Sequence, residues 1–140
     1  MFSIKNTVKT TPPKLPYRQL FEAVLSSGYE LSLVFVGEAK IKSLNQCYRK
    51  KNKPTNILSF PLSDDQGEIF ICLPLAKKEA SKVNFKISDY VGHLFIHGLL
   101  HLKGFRHGST MDKEERRLAA LFNLDGQKHS YRAGYRNGFH

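Results

Sequence analysis

Apolar positions along this chain switch repeatedly between a period near two and a period near 3.6, which predicts short strands alternating with helices. Residues 2–8 alternate loosely, with Phe2 and Ile4 against Ser3 and Lys5, and read as a first strand. Pro16 then suits a helix start, because its missing N–H has no partner there anyway, and Leu20, Phe21, Val24 and Leu25 carry helical spacing over 17–26 until Gly28. Over 30–36, Leu31, Leu33 and Phe35 alternate with Ser32 and Val34, predicting a strand that Gly37 ends. Ile41, Leu44 and Tyr48 restore the helical period over 39–48.

The second half follows the same grammar. Residues 55–61 read as a short buried strand, which Pro61 ends or confines to a sheet edge because proline cannot donate to a ladder. Ser63, Asp64, Asp65, Gln66 and Gly67 are turn chemistry, so a strand over 68–73 is expected to form a hairpin with 57–60. Pro74 opens a polar, lysine-rich helix over 75–84. Ser88 and Asp89 are expected to cap a helix over 90–103 whose Val91, Leu94, Phe95, Leu99 and Leu102 read as buried. Thr110 is expected to cap a last helix over 111–122, with Glu114 and Glu115 near its positive end. Residues 1–124 make one domain; residues 125–140 lose the apolar period and mix Lys128, Arg132 and Arg136 with Gly and Ser, as a basic tail.

The apolar helix over 90–103 carries unusual polar residues. His97 and His101 stand four apart and therefore project from one face, one turn from each other. Gly104 can adopt a left-handed conformation, lacking a Cβ to clash, and return His107 toward the same point. Three imidazoles then converge on one cation. Zinc held by three nitrogens keeps a fourth position open and lowers the pKa of a water bound there to about 7, which suits hydrolysis. A lone histidine on such a face is more often a hydrogen-bonded core residue, and His93, one turn earlier, fits that description. The spacing matches zinc peptidases with a third histidine, but those have Glu after the first histidine as general base and this chain has Gly98. The metal reading survives; the peptidase reading loses its proton acceptor. Either Glu114 or Glu115 can in principle reach the metal or its ligands, although helix-dipole stabilisation is the expected role of both.

Charge adds a partner class. Net charge is +10, and residues 1–60 carry ten basic and three acidic side chains, so the excess lies mostly ahead of the histidines. Such a balance favours an anionic partner, nucleic acid first and an acidic membrane surface second. Arg49, Lys50, Lys51 and Lys53 cluster after the second helix. Lysines in such a run are usually a solvated loop; Arg49, at the end of an element, has a planar fork that can clamp phosphate through two hydrogen bonds. No apolar run approaches the roughly 20 residues needed to span a bilayer, and residues 1–5 show no signal-peptide core, so a cytoplasmic location is expected. In a reducing compartment Cys47 and Cys72 stay thiols, and both are expected to be small, partly buried apolar residues.

Two motifs in order, Asn45-x-x-Tyr48-Arg49 with Lys53-Pro54-Thr55-Asn56-Ile57-Leu58-Ser59-Phe60-Pro61, and His97-Gly98-x-Leu100-His101-Leu102-x-Gly104-x-x-His107, resemble the YbeY family of bacterial RNA-processing metalloproteins. The strand Gly67-Glu68-Ile69-Phe70-Ile71 corresponds as well, so the likeness covers roughly residues 30–122. The resemblance implies an α+β fold, a small, mostly mixed four-stranded sheet with about five helices, the central one bearing the metal motif. It further implies one zinc ion on His97, His101 and His107, a catalytic arginine at Arg49, and single-strand-specific endoribonuclease activity in maturation of small-subunit ribosomal RNA and in ribosome quality control. Substrate contacts are then expected from Arg49, Lys50, Lys51, Lys53, Ser59 and Arg106. Two positions depart from the family pattern: Arg106 replaces the Asp before the third histidine, and Glu68 replaces the Asp after the hairpin glycine. The second keeps the charge; the first reverses it and places a cation beside a ligand.

The resulting hypothesis has Arg49 neutralising charge on phosphorus beside the metal. The proton acceptor is left open among metal-activated water, a neighbouring carboxylate and the RNA 2′-hydroxyl. A different reading, favoured by Gly98 and Arg106, is a ribosome-assembly RNA-binding factor whose zinc is structural.

Overall fold

The computed structural model describes residues 1–124; the basic tail expected over 125–140 lies outside the described residues. The order is β1 (Phe2–Asn6), α1 (Tyr17–Val24), β2 (Glu30–Val36), α2 (Glu38–Arg49), β3 (Ile57–Ser63), β4 (Gln66–Cys72), α3 (Leu73–Lys82), α4 (Ile87–Lys103) and α5 (Ser109–Leu121). The strands form one sheet in the order β1-β2-β4-β3. β1, β2 and β4 run parallel, and β3 returns antiparallel on β4 as the expected hairpin. The α+β class and the mixed four-stranded sheet are therefore as the sequence implies. Pro61 sits on edge strand β3, at a register shift between Pro61 and Ser63, where a missing donor does least harm.

Alternation along the strands makes two unequal faces. Leu31, Leu33, Phe35, Ile57, Ile69 and Ile71 face the main core, built with α1 and α4. Phe2, from β1, stacks on Phe21 of α1 with ring centroids 5.1 Å apart. On the other face, Val36, Leu58 and Cys72 pack with Ile41 of α2, while Val34, Phe60 and Phe70 are only partly covered. α4 is buried from Tyr90 through Leu100, which explains why it is apolar all round. Among the described residues, no helix is long and apolar enough to cross a membrane.

Local signals differ from expectation in three places. α4 begins at Ile87 after Lys86 and has no side-chain cap, so Ser88 and Asp89 lie within its first turn, where Asp89 still faces the positive end of the dipole. α5 begins at Ser109 after Gly108, and Thr110 is inside the helix rather than its cap. Cys72 is buried as expected, but Cys47 is exposed, because only Ile41 and Asn45 of α2 turn fully inward.

Candidate metal centre

The three histidines converge. One ring nitrogen from each of His97, His101 and His107 lies within 4.8 Å of the other two. The ring centroids are 4.5 Å apart for His97 and His101, 4.7 Å for His101 and His107, and 5.1 Å for His97 and His107. The first two ride on α4, and the turn at Gly104 (φ +109°) returns the third. In that turn Gly104 N–H donates to the His101 carbonyl and Phe105 N–H to that of Leu100, closing the helix end with paired carbonyls.

The tautomers follow from the partners. His101 Nδ1 lies 3.1 Å from the Phe105 carbonyl oxygen, which only accepts, so Nδ1 carries the proton and Nε2 a free lone pair. His97 Nδ1 lies 3.2 Å from Glu115 Oε2, and donation from Nδ1 to that oxygen gives the same tautomer there. Both Nε2 atoms then aim lone pairs at each other across 3.1 Å. That arrangement is repulsive alone and favourable around a shared cation, so the donor set fits a zinc ion. Burial holds the His101 pKa down to about 4; His97, then His107 and Arg49, push the same way, while the Phe105 carbonyl opposes them. That direction favours the unprotonated ring, the form a metal would need.

Glu115 was expected to serve the helix dipole. Instead it is buried against His97, with side-chain exposures of 2% and 3% for the pair, and is placed as the hydrogen-bond acceptor that orients the His97 ring in a cluster that could hold a metal. Its signal was available in the sequence: Met111, Glu115 and Leu118 form one helical stripe, and a carboxylate in an apolar stripe needs a buried partner. Glu114, one position earlier, is on the surface and pairs with Arg117 at 2.9 Å.

Opposite the histidines, Arg49, Ile57, Leu58 and Ser59 complete a cleft of about 270 Å³. Arg49 is the last residue of α2, and Lys50 follows in a left-handed conformation (φ +56°). The chain then folds back, with Lys51 N–H donating to the Asn45 carbonyl and Asn45 Nδ2 donating to the Lys53 carbonyl at 2.9 Å. Further on, Asn56 Nδ2 and the Tyr90 hydroxyl both donate to Glu79 Oε1, tying the start of β3 to α3 and α4. The asparagines of the first motif thus hold the loop that presents Arg49. Lys50, Lys51, Lys53 and Arg106 are exposed and do not line the cleft, so of the expected substrate contacts only Arg49 and Ser59 do.

Gly98 has a structural reason. A Cβ there would stand 2.8 Å from Ser59 Oγ and 3.0 and 3.1 Å from Cδ1 of Ile57 and Ile69, so only glycine lets α4 approach β3 this closely. A glutamate at this position has no room. With glycine at this position, Ser59 of β3 lines the same cleft as the three histidines.

Comparisons with known proteins agree with this geometry. The model of the family described as Endoribonuclease YbeY matches residues 3–122. A protein of Colwellia psychrerythraea named Endoribonuclease YbeY is 36% identical over 126 residues, covering 77% of this chain and 81% of its own. One of the same name from Alteromonas mediterranea is 40% identical over 96 residues; the match covers 64% of this chain and 61% of that relative's length. The solution structure of a Thermotoga maritima protein superposes with a TM-score of 0.64 at 24% identity, covering 98% of this chain and 93% of that one, and shows the same fold. With two sequence motifs meeting in one cleft and a family model spanning nearly all the described residues, the chain belongs to the endoribonuclease YbeY family.

Proposed function

We propose that this chain is a zinc-dependent endoribonuclease that cuts single-stranded RNA, acting in the cytoplasm on small-subunit ribosomal RNA during 3′-end maturation and in ribosome quality control. The observation that carries the reading is the convergence of ring nitrogens from His97, His101 and His107, with His97 Nε2 3.1 Å from His101 Nε2, in one cleft with Arg49. His97, His101 and His107 would hold the ion, which supplies Lewis acidity toward a phosphoryl oxygen. The Arg49 guanidinium binds the phosphate through its fork of N–H donors and offsets the charge that builds on it. Ser59, at the cleft wall, offers a hydroxyl donor to the same group. Glu115 and the Phe105 carbonyl keep the lone pairs of His97 and His101 turned into the cleft.

Incubation of tag-free, zinc-loaded protein with single-stranded RNA tests this reading. Cleavage that stops with a chelator, returns with zinc and is absent in His101→Ala supports it. A folded, zinc-loaded protein that leaves RNA intact would overturn it and favour the second reading, an RNA-binding assembly factor with a structural metal. One observation speaks for that alternative: among the described residues, no carboxylate lines the cleft. A peptidase is disfavoured by the contact that keeps position 98 a glycine.

A further inference from the structure

Tyr48 is 65% exposed although it continues the apolar face of α2, one turn after Leu44. Its ring centroid lies 4.9 Å from that of Phe60, and Phe60 lies 5.9 Å from Phe70, so three aromatic side chains run in a row across the partly covered face of the sheet. The row begins beside the cleft. Tyr48 precedes Arg49 on α2, and Phe60 follows Ser59 on β3, where successive side chains point to opposite faces of a strand. Ser59 in the cleft and Phe60 in the row therefore lie on opposite faces of edge strand β3. Exposed Lys50, Lys51 and Lys53 follow Tyr48 and Arg49 in the chain, and Glu68 stands directly across from Phe60 on β4 in the β3–β4 register.

We propose that Tyr48, Phe60 and Phe70 are a stacking platform for unpaired bases of an RNA strand whose phosphate lies at Arg49, the strand crossing the β3 edge. This deepens, and rests on, the nuclease reading. A basic rim that tracks the backbone beside aromatic rings that take bases is how proteins hold single strands, since every base has a π face. The same platform supplies single-strand preference. Bases of a duplex are already stacked on their neighbours, and a duplex is too stiff to bend over one strand's edge within a few nucleotides. The alternative role for Tyr48, apolar cover for Phe60, predicts no sensitivity to the bases of the ligand.

The test is fluorescence anisotropy with the full chain as purified and short, fluorescein-labelled, 2′-O-methylated single-stranded RNA, checked for integrity after titration. A matched probe with abasic residues replaces the bases and keeps the phosphates. Tyr48→Ala, and Tyr48→Leu, which retains apolar cover over Phe60, should weaken binding of the base-bearing probe by about tenfold and leave the abasic probe unchanged, whereas Tyr48→Phe should bind like the parent protein. Equal affinity of parent and variants for the base-bearing probe would overturn the platform, as would an equal loss on both probes. Because no cleavage is read, failure of the nuclease reading shows separately, as intact RNA with zinc-loaded protein, while the anisotropy arms still decide the platform.

Discussion

Glu115 Oε2 lies 3.2 Å from Nδ1 of His97, with both side chains almost wholly out of solvent. The pair joins α5 to α4 and dictates which nitrogen of His97 is available to a metal. Glu115→Ala would leave a buried N–H without its carboxylate and free the ring to rotate. Zinc affinity should fall by about 10- to 100-fold, measured by competition with a chromophoric chelator. Glu115→Gln, which keeps an acceptor oxygen but not the charge, should lose less. Equal affinity in all three proteins would remove Glu115 from the centre's design.

Metal binding and catalysis should separate by residue. His101→Ala removes one of three ligands, so zinc retained after dialysis should drop from about one ion per chain to a small fraction of that, read by elemental analysis. Arg49→Ala should leave zinc content unchanged while RNA cleavage falls by about 100-fold or more. Arg49→Lys should restore only part of that loss, because a point charge cannot replace the fork. An Arg49→Ala protein that cleaves normally would show that Arg49 has no part in the reaction.

Gly98→Ala places a methyl group where Ser59 Oγ and two isoleucine ends already stand. The isoleucine termini can turn aside, but Ser59 must move, so the thermal midpoint should fall by an amount corresponding to about 1–3 kcal/mol. RNA cleavage should fall with it, even at temperatures where the variant is folded. An unchanged midpoint would mean that α4 and β3 separate more easily than their packing suggests.

Gly104→Ala tests a different cause. Nothing lies within 4 Å of the added Cβ, so any cost comes from the left-handed backbone at φ +109° rather than from crowding. A loss of about 1–2 kcal/mol in denaturant unfolding is expected. Zinc affinity should also decline, since this turn places both His107 and the Phe105 carbonyl that fixes His101.

The pattern of apolar residues made much of this legible. Alternation found β2 and the β3–β4 hairpin, the helical period found α4, and the four-residue spacing of His97 and His101 pointed to the histidine cluster. Periodicity reports which face of an element is buried but not what packs against it. For that reason Glu115 was read as a dipole partner, although the apolar stripe of α5 passes through it. The cap positions failed similarly: Ser88, Asp89 and Thr110 are good capping types, but the helices start earlier, at Ile87 and Ser109, without side-chain caps. Gly98 looked like a missing base, and only the approach of β3 shows what its lack of a side chain is for.

All three imidazoles belong to one helix and the bend that ends it, whereas Arg49 and Ser59 come from α2 and β3. The cleft thus has two jaws of separate origin, meeting at the bare backbone of Gly98. A small slide of α4 along β3 would change the gap between the histidine cluster and the Arg49 guanidinium while leaving the cluster itself intact. On the proposed reading, ion retention and turnover are set by different elements of the fold, and loss of cutting in a variant would not by itself imply loss of zinc.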